Sequence, residues 1–485
     1  MNLDAKGRPY NRNLLIATLL IGTFCTVLNQ TILATAYPTL MKDFNVTTST
    51  VQWLTTGFML VNGILIPVSA WLSSRVNTKW LYIGAMMIFE LGTVMSYTAP
   101  NFGFLLAGRL VQAVGVGVTM PLLQTIMLSI FPPEKRGASM GLAGMVIGLA
   151  PAIGPTLSGW VVDNATWRDL FGMIVPIVAV VIVASFWFMK PVIETHKSKI
   201  DILSLIVSTI GFGSLLYGFS TVGDNGWGSV SVLSFLAIGV IFIGLFVWRQ
   251  LTMETPFLEL HVFASKEYTI AALLSSIVNM AMIGVEMILP MYLQTVRGDS
   301  AFQSGLTLLA GALMMGIMSP FTGRLFDLFG AKKLATGGMF LLTLGTIPFA
   351  FLTKDTPTLY IVVMYAIRMF GISMVMMPTT TSGMNALPAR LMGHGTAVNN
   401  TARQIASSIV TAVMVSVLTN VTVDALPGKS LLKSAPLEYK NQAINATLSG
   451  YKAAFAIAII FCVIGLGLSF FLKSKQQVTN NGGAK

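Results

Sequence analysis

The sequence predicts an all-α polytopic membrane protein, and two observations carry the prediction. Hydrophobic residues make up 54% of the 485-residue chain and charged residues only 10%, with a mean hydropathy of +0.76, against roughly 25% charge in soluble domains. The apolar residues are also gathered into blocks of about 20, the length that crosses a ~30 Å hydrocarbon core. No polar linker long enough to separate soluble domains interrupts them. Backbone groups in lipid must find their hydrogen bonds within the segment, so each block reads as a helix.

Fourteen such blocks are expected, at 14–36, 51–72, 80–98, 104–126, 138–161, 170–189, 203–222, 231–248, 269–294, 303–322, 334–352, 359–380, 396–418 and 453–472. The first follows Lys6, Arg8 and Arg12 and ends in Ala34-Thr35-Ala36, like a secretory cleavage site. A signal-peptide core is only about 7–15 residues long, so this longer block reads as a retained first helix. An even number of spans places both termini on one side. With that side cytoplasmic, 19 of the 30 Lys and Arg residues fall in inner loops and tails, including Arg75, Lys79, Lys135, Arg136, Lys197, Lys332 and Lys333. Eight fall outside, half of them in the long loop near 419–452, and Arg109, Arg368 and Arg403 lie within spans. Positively charged loops stay inside, so both termini are placed in the cytoplasm. The same dispersal explains the net charge of +12 by contact with anionic headgroups, and no nucleic-acid partner is expected. Cys25 and Cys462 fall within spans and read as packing residues.

The chain repeats itself. A short inner loop follows the second span (Ala70–Trp80, AWLSSRVNTKW) and another follows the tenth (Gly323–Lys333, GRLFDLFGAKK). The fourth span carries GRLVQAVGVG (Gly108–Gly117) before Pro121, and the twelfth carries IRMFGIS (Ile367–Ser373) before Pro378, so Arg109 and Arg368 match. The copies lie about 253 to 259 residues apart. Six spans with short loops fill fewer residues than that, so two helices are inserted between the copies, the seventh and eighth, joined by Gly223–Gly228. The organisation is 6 + 2 + 6: a first six-helix bundle at 1–190, two inserted helices at 191–266 and a second bundle at 267–485.

With these motifs the chain resembles the major facilitator superfamily, specifically its 14-span drug:proton antiporters, with its closest likeness to lincomycin-resistance and quaternary-ammonium exporters of Gram-positive bacteria. The resemblance covers nearly the whole chain and implies a major facilitator fold in the bacterial cytoplasmic membrane. Gly323–Lys333 resembles the signature loop G-x-L-x-D-x-x-G-x-[KR]-[KR], with Gly323, Asp327, Gly330, Lys332 and Lys333 in place. Arg109 and Gln112 through Gly117 resemble the R-x-x-Q-G-x-G motif. Residues 148–160, GLAPAIGPTLSGW, resemble the antiporter motif, with Gly148, Pro151, Gly154, Pro155 and Gly159. Two departures stand out. The first signature loop has Ser74 for the usual Asp and Asn77 for Gly, leaving Arg75 and Lys79 as its charges. The first helix reads LNQTILATAYP where the family pattern has L-D-x-T-I-V-N-V-A-L-P, so Asn29 replaces an acid that could take up a proton, which puts a proton role there in doubt.

On a helical wheel Gly137, Gly141, Gly144, Gly148, Pro151, Pro155 and Gly159 share an arc of roughly 80°. Small residues let membrane helices approach closely, and proline bends a helix whose freed carbonyls find other donors. The stripe reads either as a static seam or as the joint on which two halves slide and seal.

An ionisable group at mid-membrane costs at least about 2.5–3.5 kcal/mol on insertion scales and is functional by default. Of 18 acids only Glu90 and Glu286 fall well inside spans. For Glu286 a proton or cationic-substrate role stands beside a structural hydrogen bond; Glu90, on a third helix that faces outward, is the weaker candidate. Arg109 keeps its proton and is expected to act on an acid or polar network, alongside Gln112. Arg403 lies close enough to the cytoplasmic end to snorkel. Asp327, Arg324, Lys332 and Lys333 are expected to form an inner charge cluster that latches one state. The methionines are dense in Met282–Met291, Met314–Met318 and Met374–Met384 and suit a surface accepting many ligands.

Enzyme motifs and Cys/His metal clusters are absent. Gly428-Lys429-Ser430 ends like a phosphate-binding loop, but Val423 occupies the first glycine position and the loop faces outward. No cofactor or metal is expected. The sequence therefore leads to proton-coupled efflux of small amphiphilic compounds by alternating access, acting as a monomer in the bilayer. The alternative is an exporter of one endogenous amphiphile, a lipid or fatty acid, that carries drugs incidentally.

Overall fold

The computed structural model describes residues 4, 7–33, 36–193, 195, 201–254, 256–428, 431 and 434–473. Lys6, the Ala34-Thr35 pair, Lys197 and Lys429-Ser430 lie outside the described residues.

Among the described residues, fourteen helices are long and apolar enough to cross a membrane. The first half holds α1 (Arg12–Thr31), α2 (Thr48–Arg75), α3 (Thr78–Tyr97), α4 (Phe102–Ile130), α5 (Arg136–Asn164) and α6 (Ile174–Phe188). Next come α7 (Ile202–Asn225) and α8 (Val230–Thr252). The second half holds α9 (Lys266–Thr295), α10 (Ala301–Phe329), α11 (Ala331–Thr346), α12 (Thr358–Asn385), α13 (Met392–Asp424) and α14 (Pro436–Ser469). Polar side chains start them where the sequence leaves apolar stretches: Asn11 caps α1, Thr47 α2, Asn101 α4, and Ser300 with Gln303 forms a capping box on α10. Such side chains satisfy N–H groups that have no partner inside the helix.

Two boundaries differ from expectation. The first span ends at Thr31, and Pro38 starts a separate short helix, Tyr37–Phe44. The long outer loop is largely helical: α13 runs on to Asp424 and α14 begins at Pro436. The segment YKNQAINATLSGYK is too polar to register as a span, yet it is a helix, because hydropathy marks lipid contact and not where a helix stops.

The packing repeats with the sequence. The pairs α1–α5, α1–α6, α2–α4, α3–α4 and α3–α6 recur eight helices later as α9–α13, α9–α14, α10–α12, α11–α12 and α11–α14. Helix prolines repeat as well: Pro67 in α2 matches Pro320 in α10, and Pro121 in α4 matches Pro378 in α12. Across the halves, α5 lies along α10 in the most extensive helix contact of the fold, and α13 packs on α2. Helix α7 rests on both α2 and α13, with α8 outside it. The inserted pair thus flanks the α2–α13 side. An apolar groove of about 520 Å³ between α1 and α6, lined by Leu14, Ile21, Pro176, Val180 and Phe188, contains none of the expected site residues.

Candidate functional site

The α5 stripe splits in two. Its cytoplasmic part is the seam between halves. A Cβ built on Gly137 would overlap Gly323 of α10, one on Gly141 would meet the Pro320 Cα at 2.9 Å, and one on Gly148 the Met315 Cγ at 3.0 Å. Met377 covers Gly144 in the same way, so two of the methionine-dense segments meet the seam. The outer part turns to its own half, where Gly154 packs on Thr31 of α1, while Gly159 has open space around it. Pro155 has no N–H to give the carbonyl four residues back. That carbonyl, on Pro151, accepts a hydrogen bond from the Thr31 hydroxyl at 3.1 Å. A neighbouring helix thus fills the gap the proline leaves.

At the cytoplasmic ends the halves are tied together. Gly137 N and Ala138 N of α5 each donate to a carboxylate oxygen of Asp327 at 2.9 Å. Arg136 Nη1 donates to Asn385 Oδ1, and Asn400 Nδ2 to Gln124 Oε1, both at 2.8 Å. Asp327, expected to lie with Arg324, Lys332 and Lys333, caps the N-terminus of α5, where N–H groups and the helix dipole favour an anion. Gly330, at φ +80°, joins α10 to α11 in a conformation that favours glycine. Lys332 and Lys333 follow in the first turn of α11.

The first signature loop behaves differently. Ser74 Oγ donates back to Trp71 O of its own helix at 2.8 Å. The Arg75 guanidinium lies 5.5 Å from the Trp71 ring centre, and Lys79 Nζ donates to Phe186 O at 2.6 Å within the first half.

Within the membrane, Arg109 and Arg368 occupy matched sockets. Arg109 donates to the carbonyls of Leu54 (3.3 Å) and Asn29 (3.1 Å), to the Asn29 side chain and to Gln112 Oε1 (2.9 Å). Gln112 Nε2 continues to the Thr93 hydroxyl at 2.9 Å. Arg368 donates to the Ala281 carbonyl and to the Thr346 hydroxyl at 3.2 Å. Ala281 and Thr346 stand 252 and 253 residues after Asn29 and Thr93, matching the repeat. Arg109 therefore fastens α4 to α1 and α2 and, through Gln112, to α3, whereas Arg368 fastens α12 directly to α9 and α11. A polar network, and among the described residues no acid, holds Arg109. Phe58, whose ring centre lies 4.3 Å from the Arg109 guanidinium, completes the first socket and gives no sequence signal beyond an apolar residue in a span.

Glu286 is half-buried on α9 and forms no ion pair among the described residues, although Arg368 and Tyr365 of α12 couple to it electrostatically. Glu90 stays apart. Its Oε2 is buried without a hydrogen-bond partner, and the group it couples to is Cys25 of α1 in the first half. Arg403 does not snorkel: it is 9% exposed and its Nη2 donates to Asn279 Oδ1 of α9 at 3.2 Å. The polar neighbours inside the bundle draw the guanidinium inward, a placement that depth along α13 alone does not reveal.

Two six-helix units with repeated packing, meeting along a close glycine seam and holding ionisable groups inside the membrane, define a polytopic helical transporter of the cell membrane. The chain belongs to the Major Facilitator Superfamily, whose profile matches residues 19–411. It is 48% identical over 477 residues to the MFS-type transporter YcnB of Bacillus subtilis, covering 98% of each chain. It is 41% identical over 461 residues to the lincomycin resistance protein LmrB of Bacillus subtilis, covering 95% of each. The fold is similar to that of the proton:xylose symporter XylE, with a TM-score of 0.62 at 13% identity over 95% of this chain and 96% of that one.

Proposed function

We propose that the protein exports amphiphilic drugs and toxic compounds in exchange for protons, as a monomer, with residues 1–190 and 267–485 rocking about a central site. Relatives named for lincomycin resistance support export of drugs. The observation that carries proton coupling is Glu286, a carboxylate inside the membrane with no ion pair among the described residues and an arginine, Arg368, in electrostatic reach. Such a group binds and releases a proton as its surroundings change. In this cycle Glu286 takes a proton from outside as cargo leaves, then releases it inward. Asn29 cannot do so, which leaves Arg109, Gln112 and Asn29 to hold the first half rigid; Glu90 stands as a second, peripheral carboxylate. Pro151 and Pro155 bend the joint, with Gly148 in the seam between the halves, Gly154 packed on Thr31 and Gly159 standing free beyond it. Asp327 on the end of α5 is the inner latch, with Gly323, Gly330, Lys332 and Lys333 shaping its loop and Arg75 and Lys79 standing at the unlatched counterpart.

The driving force is sufficient. An entering proton gains about 2.3 kcal/mol per 100 mV and about 1.4 kcal/mol per pH unit, enough together to sustain a gradient of about 500-fold. Transport into inverted vesicles under an imposed pH gradient tests the reading. Accumulation that collapses with a protonophore supports it, and accumulation indifferent to any ion gradient overturns it.

A further inference from the structure

Arg403 is the buried charge that this mechanism leaves unused. It lies eleven residues along α13 from Met392, about 16 Å above the cytoplasmic end of the helix. Arg109 and Arg368 are held by main-chain carbonyls. Arg403 has one amide oxygen, Asn279 Oδ1, and the Met376 sulfur at 3.9 Å, both on Nη2. Its Nε and Nη1 are buried without a hydrogen-bond partner, and among the described residues no acid pairs with it. A guanidinium has five donors and no acceptor, and leaving a charge unpaired inside a membrane protein is costly.

The surroundings also offer donors. Asn399, one turn earlier on the same face of α13, is 1% exposed with Nδ2 unpartnered. The hydroxyl of Thr379, one turn beyond Met376 on α12, is buried and unpartnered. Gln124 of α4, which joins Asn400 across the halves, has a buried and free Nε2. A helix of the first half thus meets α13 one turn from Arg403, and unpartnered donors lie along the same stretch of α12 and α13.

The geometry points to an anion subsite: Arg403, with Asn399 and Thr379, receives a carboxylate, sulfonate or phosphate group on the exported amphiphile. The inference rests on the export reading and names its cargo class as anionic or zwitterionic.

Equilibrium binding to the full chain in lipid nanodiscs, with no gradient present, tests it. The probes are 1-naphthaleneacetate, its neutral amide, and naphthylmethyltrimethylammonium. The wild type is expected to bind the carboxylate at least about tenfold more tightly than the amide, as a charge-assisted hydrogen bond implies. Arg403→Gln removes that preference, Arg403→Lys keeps part of it, and Asn399→Asp, which tethers a carboxylate beside the guanidinium, also removes it. Where Arg403→Gln does not yield folded protein, the Lys and Asp variants decide. Equal binding of acid and amide by the wild type overturns the inference, as does a preference that survives Arg403→Gln or Asn399→Asp, or tighter binding of the ammonium probe. Since no proton gradient enters the measurement, failure of proton-driven export leaves its result standing.

Discussion

Asp327 of α10 caps the N-terminus of α5 through Gly137, a residue 190 positions earlier in the chain. The matching place in the first half holds Ser74, whose hydroxyl bonds its own helix. At the matching crossing, a Cβ on Gly393 would meet nothing nearer than Ser73 Oγ at 3.6 Å, whereas one on Gly137 has no room. At the cytoplasmic face the halves are therefore tightly joined on the α5–α10 side and more loosely packed on the α2–α13 side.

Asp327→Asn weakens the latch by about 1–2 kcal/mol, because a neutral amide offers one acceptor and no charge to the helix end. Spin labels on the exposed residues Glu134 and Arg390 are expected to show a larger inward-open population, and an unchanged distance distribution would remove Asp327 from gating. Ser74→Asp is expected to shift the population the other way.

The seam discriminates between glycines. Gly137→Ala forces the backbones of α5 and α10 apart and is expected to destabilise the closed state by about 1–3 kcal/mol, as overpacking does. Gly159→Ala, with nothing within 4 Å of the new methyl, leaves thermal stability and transport near wild type. Equal sensitivity at both positions would show that the stripe does not work through close approach.

Thr31→Val deletes the donor to Pro151 O and leaves a half-buried carbonyl unpaired, at a cost of about 1 kcal/mol. Replacing Pro155 with Ala restores the missing N–H of α5. The double variant is expected to recover most of the loss in thermal unfolding, and strictly additive losses would contradict the pairing.

Asp201, just before α7, accepts hydrogen bonds from Arg249 at 2.8 and 3.0 Å. Those bonds hold its carboxyl down at about 2, against 3.8 ordinarily. A depressed folded-state pKa contributes stability that is present above the ordinary value and lost as pH falls from about 4 toward about 2. Melting curves of wild type and Asp201→Asn should therefore differ at pH 6, with the difference about halved near pH 3 and closing only at about pH 2 and below. A constant difference across that window would mean that Asp201 acts by shape alone.

The spans and the repeat were legible because they rest on local properties. Apolar length marks each helix, and the spacing of Arg109 and Arg368 marks the copies. The sockets around those arginines were half visible: Gln112 lies one turn away, but Asn29 and Leu54 come from other helices. Thr31 on Pro151, and Asp327 on Gly137, join segments 120 and 190 residues apart. Only the packing of helices selects such partners. Arg403 was misplaced for the same reason, since depth along α13 is readable from the sequence and the direction of a side chain inside the bundle is not.

The most direct measurement is proton-driven transport by Glu286→Gln in inverted vesicles, at matched protein levels and with an imposed pH gradient. The glutamine keeps the shape of the side chain and removes its proton chemistry. The expected result is loss of gradient-driven accumulation with substrate binding retained. Accumulation at the wild-type rate, still dependent on the gradient, would contradict the assignment and place the exchanged proton elsewhere.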